Sequence, residues 1–294
     1  MRVVSLLPST TEILFGLGAG DDVVGVTFEC DHPAEARSRR IVSTSALPDG
    51  LSPREIDDFV SAAVRRGEDL YHLQADALAE LDADLVVTQD LCAVCAIDVA
   101  AVDQALGYLG CSADVLTFDP HTVAEVLDSV IVLGKRTGRY AAAQAWVDSL
   151  RQRLETVTHA VAGAPRPRVL VLEWTDPPYA PGHWIPEMVE LAGGIAVLGA
   201  TGEKSVRVSW DQVTASRPDV VVCAPCGYDL DNATELARQA APRFPGIPVW
   251  AVDSNASFAR PGPRIVDGVE TLAALLHPDR FTPATALAAT AVHA

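Results

Sequence analysis

No apolar run in this chain approaches the roughly 18 residues needed to cross a bilayer, so no membrane span is predicted. The opening, Met1-Arg-Val-Val-Ser-Leu6, has no basic leader, apolar stretch or small-residue cleavage site. That pattern argues against secretion and predicts a cytoplasmic protein. Positive charge is also scarce: 22 Lys and Arg face 39 Asp and Glu, for a net charge of -17. Such a field repels phosphate backbones and anionic lipid surfaces, which sets aside nucleic acid and membrane as partners. The sequence carries no G-x-G-x-x-G, Walker loop, G-x-S-x-G or H-E-x-x-H, so nucleotide-dependent and serine-hydrolase readings lose their usual support. Low-complexity tracts and short-period repeats are missing too. With 49% hydrophobic and 21% charged residues the chain reads as globular.

What remains in 294 residues is enough for about two ordinary domains. The organising stretch is Asp84-Leu-Val-Val-Thr-Gln-Asp-Leu-Cys-Ala-Val-Cys95, an apolar run ending in Cys-x-x-Cys. A short Leu/Val run bounded by polar residues reads as a buried parallel strand, and loops leaving the carboxyl ends of such strands are where open α/β sheets bind ligands. The pattern returns in the other half as Arg217-Pro-Asp219-Val-Val-Val-Cys-Ala-Pro-Cys226. A third strand end, Thr27-Phe-Glu29-Cys30-Asp-His32, places a carboxylate, a thiol and an imidazole within four residues.

Elements alternate as βαβα, a connector, then βαβα. Ser9-Thr-Thr-Glu12 and Ser52-Pro53-Arg-Glu55 have the spacing of capping boxes and predict helix starts. Apolar residues at three- and four-residue steps from Val123 to Val157 predict a long helix, with Gly134 and Gly138 as points of interruption. The expected division is an N-terminal α/β lobe over 1–119, a connecting helix over 120–163 and a C-terminal α/β lobe over 164–294. The alanine-rich tail from Thr282 is expected to be loosely packed.

Arg2-Val-Val-Ser-Leu-Leu-Pro8-Ser-Thr-Thr-Glu12, Leu17-Gly18-Ala-Gly20, Val24-Gly-Val26, the Asp84 and Asp219 strands and the Gly193-Gly194 helix end carry a resemblance. Together they resemble the substrate-binding proteins that deliver cobalamin and ferric siderophores to ABC importers, over nearly the whole chain. The resemblance implies two Rossmann-like α/β lobes joined by one long helix, a ligand held in the cleft between them, and little hinge motion. Importer partners carry export signals or lipid anchors, so an ABC transporter is not the expected partner here. The paired Cys-x-x-Cys loops depart from the family, and a fold-level likeness to nitrogenase-like proteins, which hold clusters with cysteines, raises metal binding as a prior.

Thiolates are soft ligands suited to zinc or iron–sulfur clusters, which makes Cys30, Cys92, Cys95, Cys223 and Cys226 the candidate metal ligands. Each reads equally as a small buried hydrophobe, Cys223 in particular as the last residue of its strand, and a reversible disulfide is a further reading. Cys111, away from a strand end, reads as buried. Trp174, Tyr179, His183 and Trp184 suit stacking on, or ligation of, a large flat ligand, with packing of proline-rich loops as the alternative. Glu29 and Glu173 stand at strand ends, and Glu187 at a helix start. The expected function is non-catalytic binding of cobalamin or another corrinoid, the small-molecule partner. The alternative is a redox protein or enzyme with an iron–sulfur cluster or zinc, using Glu29, Glu173 or His183 for proton transfer.

Overall fold

The structure is a computed structural model that describes residues 1–89, 113–284 and 288–292. The chain divides into two compact units, Met1–Pro120 with Asp128–Ala145, and His121–Leu127 with Trp146–Ala294.

In the first unit the chain runs β1 (Val3–Ser5), α1 (Pro8–Gly16), β2 (Val23–Val26), β3 (Arg40–Ile41), β4 (Ser43–Ser45), α2 (Pro53–Arg66), β5 (Tyr71–Leu73), α3 (Ala75–Ala79), β6 (Leu85–Gln89) and β7 (Asp114–Phe118). Five of these strands form a parallel sheet in the order β3-β2-β1-β6-β7, and β4 pairs antiparallel with β5. Every residue of β1 and of β6 is buried, as expected for central strands covered on both faces. Val4, Leu6, Val42, Leu78 and Val86 meet in one apolar cluster under the sheet.

The recurring Asp-led strand has a mechanical origin. Asp84 Oδ2 accepts the backbone N–H of Arg2 at 2.6 Å, and the Arg2 guanidinium donates from Nε to the Leu81 carbonyl at 2.7 Å. In the second unit Asp219 Oδ2 accepts the N–H of Arg168 at 2.8 Å, and Arg168 Nε donates to the Arg217 carbonyl at 3.1 Å. Each aspartate therefore pins the entry of one strand to the start of its neighbour and satisfies a backbone donor beyond the sheet's own ladder.

The Ser52 capping box forms as read: Ser52 N–H donates to Glu55 Oε2 at 2.8 Å and Glu55 N–H to Ser52 Oγ at 3.4 Å. The Ser52 hydroxyl, which donates to Glu55 Oε2 at 2.6 Å, and then the Ser52 N–H hold the Glu55 carboxyl below its ordinary value. The Ser9 box does not form. Helix α1 starts two residues earlier than that box requires, at Pro8 with Leu7 as the cap residue, so Ser9 lies inside the first turn. The Thr10 and Thr11 hydroxyls donate back to the Leu7 carbonyl instead, at 3.2 and 3.0 Å.

The long apolar-periodic segment is helical from Val123 to Val161 with one break. Helix α4 (Val123–Arg136) and helix α5 (Tyr140–Val161) are separated at Gly138, whose φ of 70° is the left-handed geometry that ends a helix. A Cβ on Gly134 would lie 2.4 Å from that of Ala143, so this glycine lets the two helices close together at their turn.

The second unit continues with β8 (Arg168–Leu172), β9 (Trp174–Thr175), β10 (Pro178–Ala180), α6 (Ile185–Leu191), β11 (Ile195–Ala196), β12 (Val206–Arg207), α7 (Trp210–Ala215), β13 (Val220–Cys223), α8 (Leu230–Ala240), β14 (Val249–Val252), α9 (Ser254–Ser257), α10 (Ile265–Leu276) and β15 (Ala289–Val292). Its main sheet has the order β11-β8-β13-β14-β15, parallel except for β15, and a small antiparallel sheet has the order β12-β10-β9. The tail expected to be loose thus supplies an edge strand. All four residues of β15 pair with β14, and Val292 enters the core beside Val249 and Ala251. Among the described residues no helix is long and apolar enough to cross a membrane.

Candidate functional site

The sequence placed its candidates at strand ends, and the structure sorts them by what surrounds each side chain. In the second unit the loops after β8, β13 and β14 are zipped together by main chain. Cys226 N–H donates to the Glu173 carbonyl at 3.1 Å, and Asn255 N–H to the Tyr228 carbonyl at 3.2 Å. On this frame Trp174 lies opposite Tyr179 in the β9–β10 register and packs edge-on against Tyr228, with ring centroids 5.4 Å apart. Trp174 Nε1 donates to the Asp176 carbonyl at 3.1 Å, which orients the indole. All three rings are half-buried, and burial pushes the Tyr228 phenol up from its usual value. Three adjacent aromatic side chains with partly open surface form a platform for a flat apolar ligand.

His183, three residues past β10, has left-handed backbone geometry, φ 50°, between a backbone bond from its N–H to the Glu203 carbonyl at 2.7 Å and one from Gly202 N–H to its own carbonyl at 3.0 Å. Its ring lies 5.7 Å from that of His121, whose Nδ1 is 3.0 Å from the Gly202 carbonyl. His121 was not among the sequence candidates. It lies 62 positions away with no local motif, and only the fold joins the two imidazoles. Trp184 is corrected to a packing residue: it is 4% exposed and its Nε1 donates to the Phe258 carbonyl at 2.7 Å. Glu187, also outside the ligand platform, accepts the Val123 N–H at 2.8 Å and so caps the start of α4.

In the first unit Phe28 and Glu29 follow β2. Phe28 is 36% exposed and lies 5.8 Å from the Tyr71 ring, while the Tyr71 hydroxyl donates to Glu29 Oε1 at 3.3 Å. Cys30 turns the other way. Its Sγ is 1% exposed, 3.1 Å from Thr11 Oγ1 and 3.3 Å from Thr27 Oγ1, inside a buried hydroxyl cluster that includes Ser5 and Thr10.

The shared thiol site is not what the described residues form. Cys223 is fully buried among Leu172, Val221 and Ala251, and loss of hydration pushes its thiol up to about 12. Its surroundings are the apolar core of the second unit, so the sulfur faces packing side chains. Cys226, three residues on, is exposed, so this Cys-x-x-Cys does not present two sulfurs to one point. Cys92, Cys95 and Cys111 lie outside the described residues. Among the described residues no group of three or more His, Cys, Asp or Glu side chains is arranged to hold a metal ion. Alkylation at pH 8 followed by peptide mapping is therefore expected to label Cys226 within minutes and to spare Cys30 and Cys223 until urea is added. Equal labelling of Cys223 in the folded protein would contradict this placement.

Comparison with known proteins gives the family. A family model described as periplasmic binding protein matches residues 3–242. An uncharacterized ABC transporter substrate-binding lipoprotein of Bacillus subtilis, YvrC, is 24% identical over 95% of this chain and 81% of its own. A cobalamin-binding protein of Halobacterium salinarum is 27% identical over 94% of this chain and 69% of its own. The crystal structure of a periplasmic heme binding protein from Pseudomonas aeruginosa superposes with a TM-score of 0.73, covering 100% of this chain and 98% of that one at 20% identity, a likeness of fold. With the matched residues spanning most of both units, the chain belongs to the periplasmic binding protein family.

Proposed function

We propose that this protein binds a corrinoid of the cobalamin type as cargo, making and breaking no bond in it. The observation that carries the reading is the aromatic platform of Trp174, Tyr179 and Tyr228 at the strand ends of the second unit. Partly open rings offer a large flat ligand apolar contact at low entropic cost, with backbone groups nearby to orient its polar rim. The cobalamin-binding relative supports the same ligand class. Iron–sulfur or zinc chemistry finds no support in the described thiols, since Cys30 and Cys223 are buried apart from the exposed Cys226.

The expectation that an ABC transporter is not the partner also lacks support, because a relative is itself described as an ABC transporter substrate-binding lipoprotein. Handing cargo to such a transporter is part of this proposal. Cytoplasmic location is the competing expectation, and cell fractionation decides between them.

Titration with cyanocobalamin, followed by quenching of tryptophan fluorescence, tests the ligand. Saturable binding is expected in the wild type, and Trp174→Ala is expected to weaken it about tenfold, the equivalent of losing one stacked aromatic contact. Full affinity in Trp174→Ala and Tyr179→Ala together would remove the platform from the account.

A further inference from the structure

A single loop residue of the second unit holds two imidazoles in place. Gly202 N–H donates to the His183 carbonyl at 3.0 Å, and the Gly202 carbonyl lies 3.0 Å from His121 Nδ1. A carbonyl only accepts, so the neutral His121 ring carries its hydrogen on Nδ1 and its lone pair on Nε2. The main chain of His121 is fixed as well, because its N–H donates to Glu125 Oε2 at 2.6 Å. His183 is held in left-handed geometry, φ 50°, by its N–H bond to the Glu203 carbonyl, and the buried indole of Trp184 lies 5.6 Å from its ring. The two imidazoles are half-buried, 5.7 Å apart between centroids and inclined by 36°. Both histidines belong to the second unit.

We infer that His121 and His183 together bind a late first-row divalent cation of the zinc type. Two imidazoles that share such an ion, with metal–nitrogen bonds of about 2.0–2.1 Å, have ring centroids about 5–6 Å apart, and the observed spacing falls within that range. A histidine ligand ordinarily gives its other ring N–H to a carbonyl or carboxylate, which sets the tautomer and makes the ligating nitrogen more basic. The Gly202 carbonyl performs that task for His121 before any ion arrives. Imidazole nitrogen suits zinc, copper and nickel, and a chain with a net charge of -17 draws cations toward it. Structural zinc sites close with four protein ligands, so a two-histidine site leaves positions for water or for a donor atom of an incoming ligand. The site is built from imidazoles, apart from the thiols, and does not depend on the corrinoid reading.

The test is calorimetric titration of Zn²⁺ into the full chain, its accessible thiols first alkylated so that they cannot compete, with the melting temperature of each variant checked. The wild type is expected to bind about one Zn²⁺ per chain in the micromolar range. His121→Gln, which keeps bulk and polarity, and His183→Asn, which tolerates left-handed geometry, are each expected to weaken binding by about tenfold or more. His159→Gln, at an exposed position on α5, should bind as the wild type does. A wild type without saturable Zn²⁺ binding would overturn the inference and reduce the pair to a ring contact. Wild-type affinity retained in either His121→Gln or His183→Asn would overturn it as well, because the ion would then lie elsewhere.

Discussion

Gly199→Ala is expected to lower the stability of the second unit by about 4 kcal/mol, through two effects that add at one position. The residue has φ 81°, a conformation that costs an alanine about 1–2 kcal/mol. A Cβ there would also lie 1.8 Å from the Pro181 carbonyl oxygen. The obstacle is backbone, so relief requires moving the 181–183 segment itself. That segment carries His183 and is tied to 202–203 by the bonds between His183 N–H and the Glu203 carbonyl and between Gly202 N–H and the His183 carbonyl. Gly202→Ala is the matched control: its φ is also 81°, but a Cβ there meets nothing within 4 Å. It should cost only the backbone term, about 1 kcal/mol. All five tryptophans lie in the second unit, so urea unfolding followed by their fluorescence reads both variants directly. Equal midpoints for the two alanines would contradict the close approach of Gly199 to Pro181.

The second large effect is expected at Arg153 on α5. Its guanidinium donates from Nε to Glu270 Oε1 at 2.9 Å and from Nη2 to Glu270 Oε2 at 2.7 Å, a two-pronged pair with α10, and it also contacts Asp267. The hydrogen bonds it donates to Glu270, then the one to Asp267 and the charge of both carboxylates, hold the guanidinium above its ordinary value despite partial burial. A raised folded-state value means a contribution that is complete below the unfolded value and lost only above it, so no weakening of this pair comes from Arg153 across the neutral range. Glu270 is 7% exposed, and Arg153→Ala leaves its carboxylate buried opposite a void. Removing one partner of a buried pair costs about 3–5 kcal/mol, but Arg153 is 35% exposed and solvent screens part of that, so the expected loss is about 2–3 kcal/mol. Arg153→Met with Glu270→Leu should recover most of it, because no unpaired charge then remains. A double variant no better than Arg153→Ala would show that shape at the α5–α10 contact outweighs its charge.

Local chemistry made parts of this fold legible. Asp84 and Asp219, each ahead of a valine run, marked the two central strands, and both perform the same task of receiving the N–H of Arg2 or Arg168. Ser52 and Glu55 fixed a helix start because both halves of that box lie within four residues. The same reading failed at Ser9 because Pro8, which can occupy the first helical position, starts the helix two residues earlier. Strands β9, β10 and β12 are two or three residues long, too short for any period, so the small sheet that holds Trp174 and Tyr179 could not be read in advance. The tail strand β15 has only alanine, threonine and valine to announce it, and its order comes from pairing with β14.

The site was legible as a set of positions and illegible as a set of directions. Residue spacing does not say which side chain of a strand-end loop turns inward. Cys223 and Cys226 are three apart, yet one is sealed beside Leu172 and the other is exposed. Trp184 follows His183 directly, yet its indole is used up by the Phe258 carbonyl. His121 meets His183 only because tertiary structure brings the chain back across 62 positions.

Equilibrium dialysis of the purified protein against cyanocobalamin, read by the absorbance of the retained corrinoid, tests the central claim most directly. Retention of about one corrinoid per chain at micromolar concentration, reduced by Trp174→Ala, is the predicted result. Equal corrinoid concentration on both sides of the membrane, with a folded protein, would contradict it.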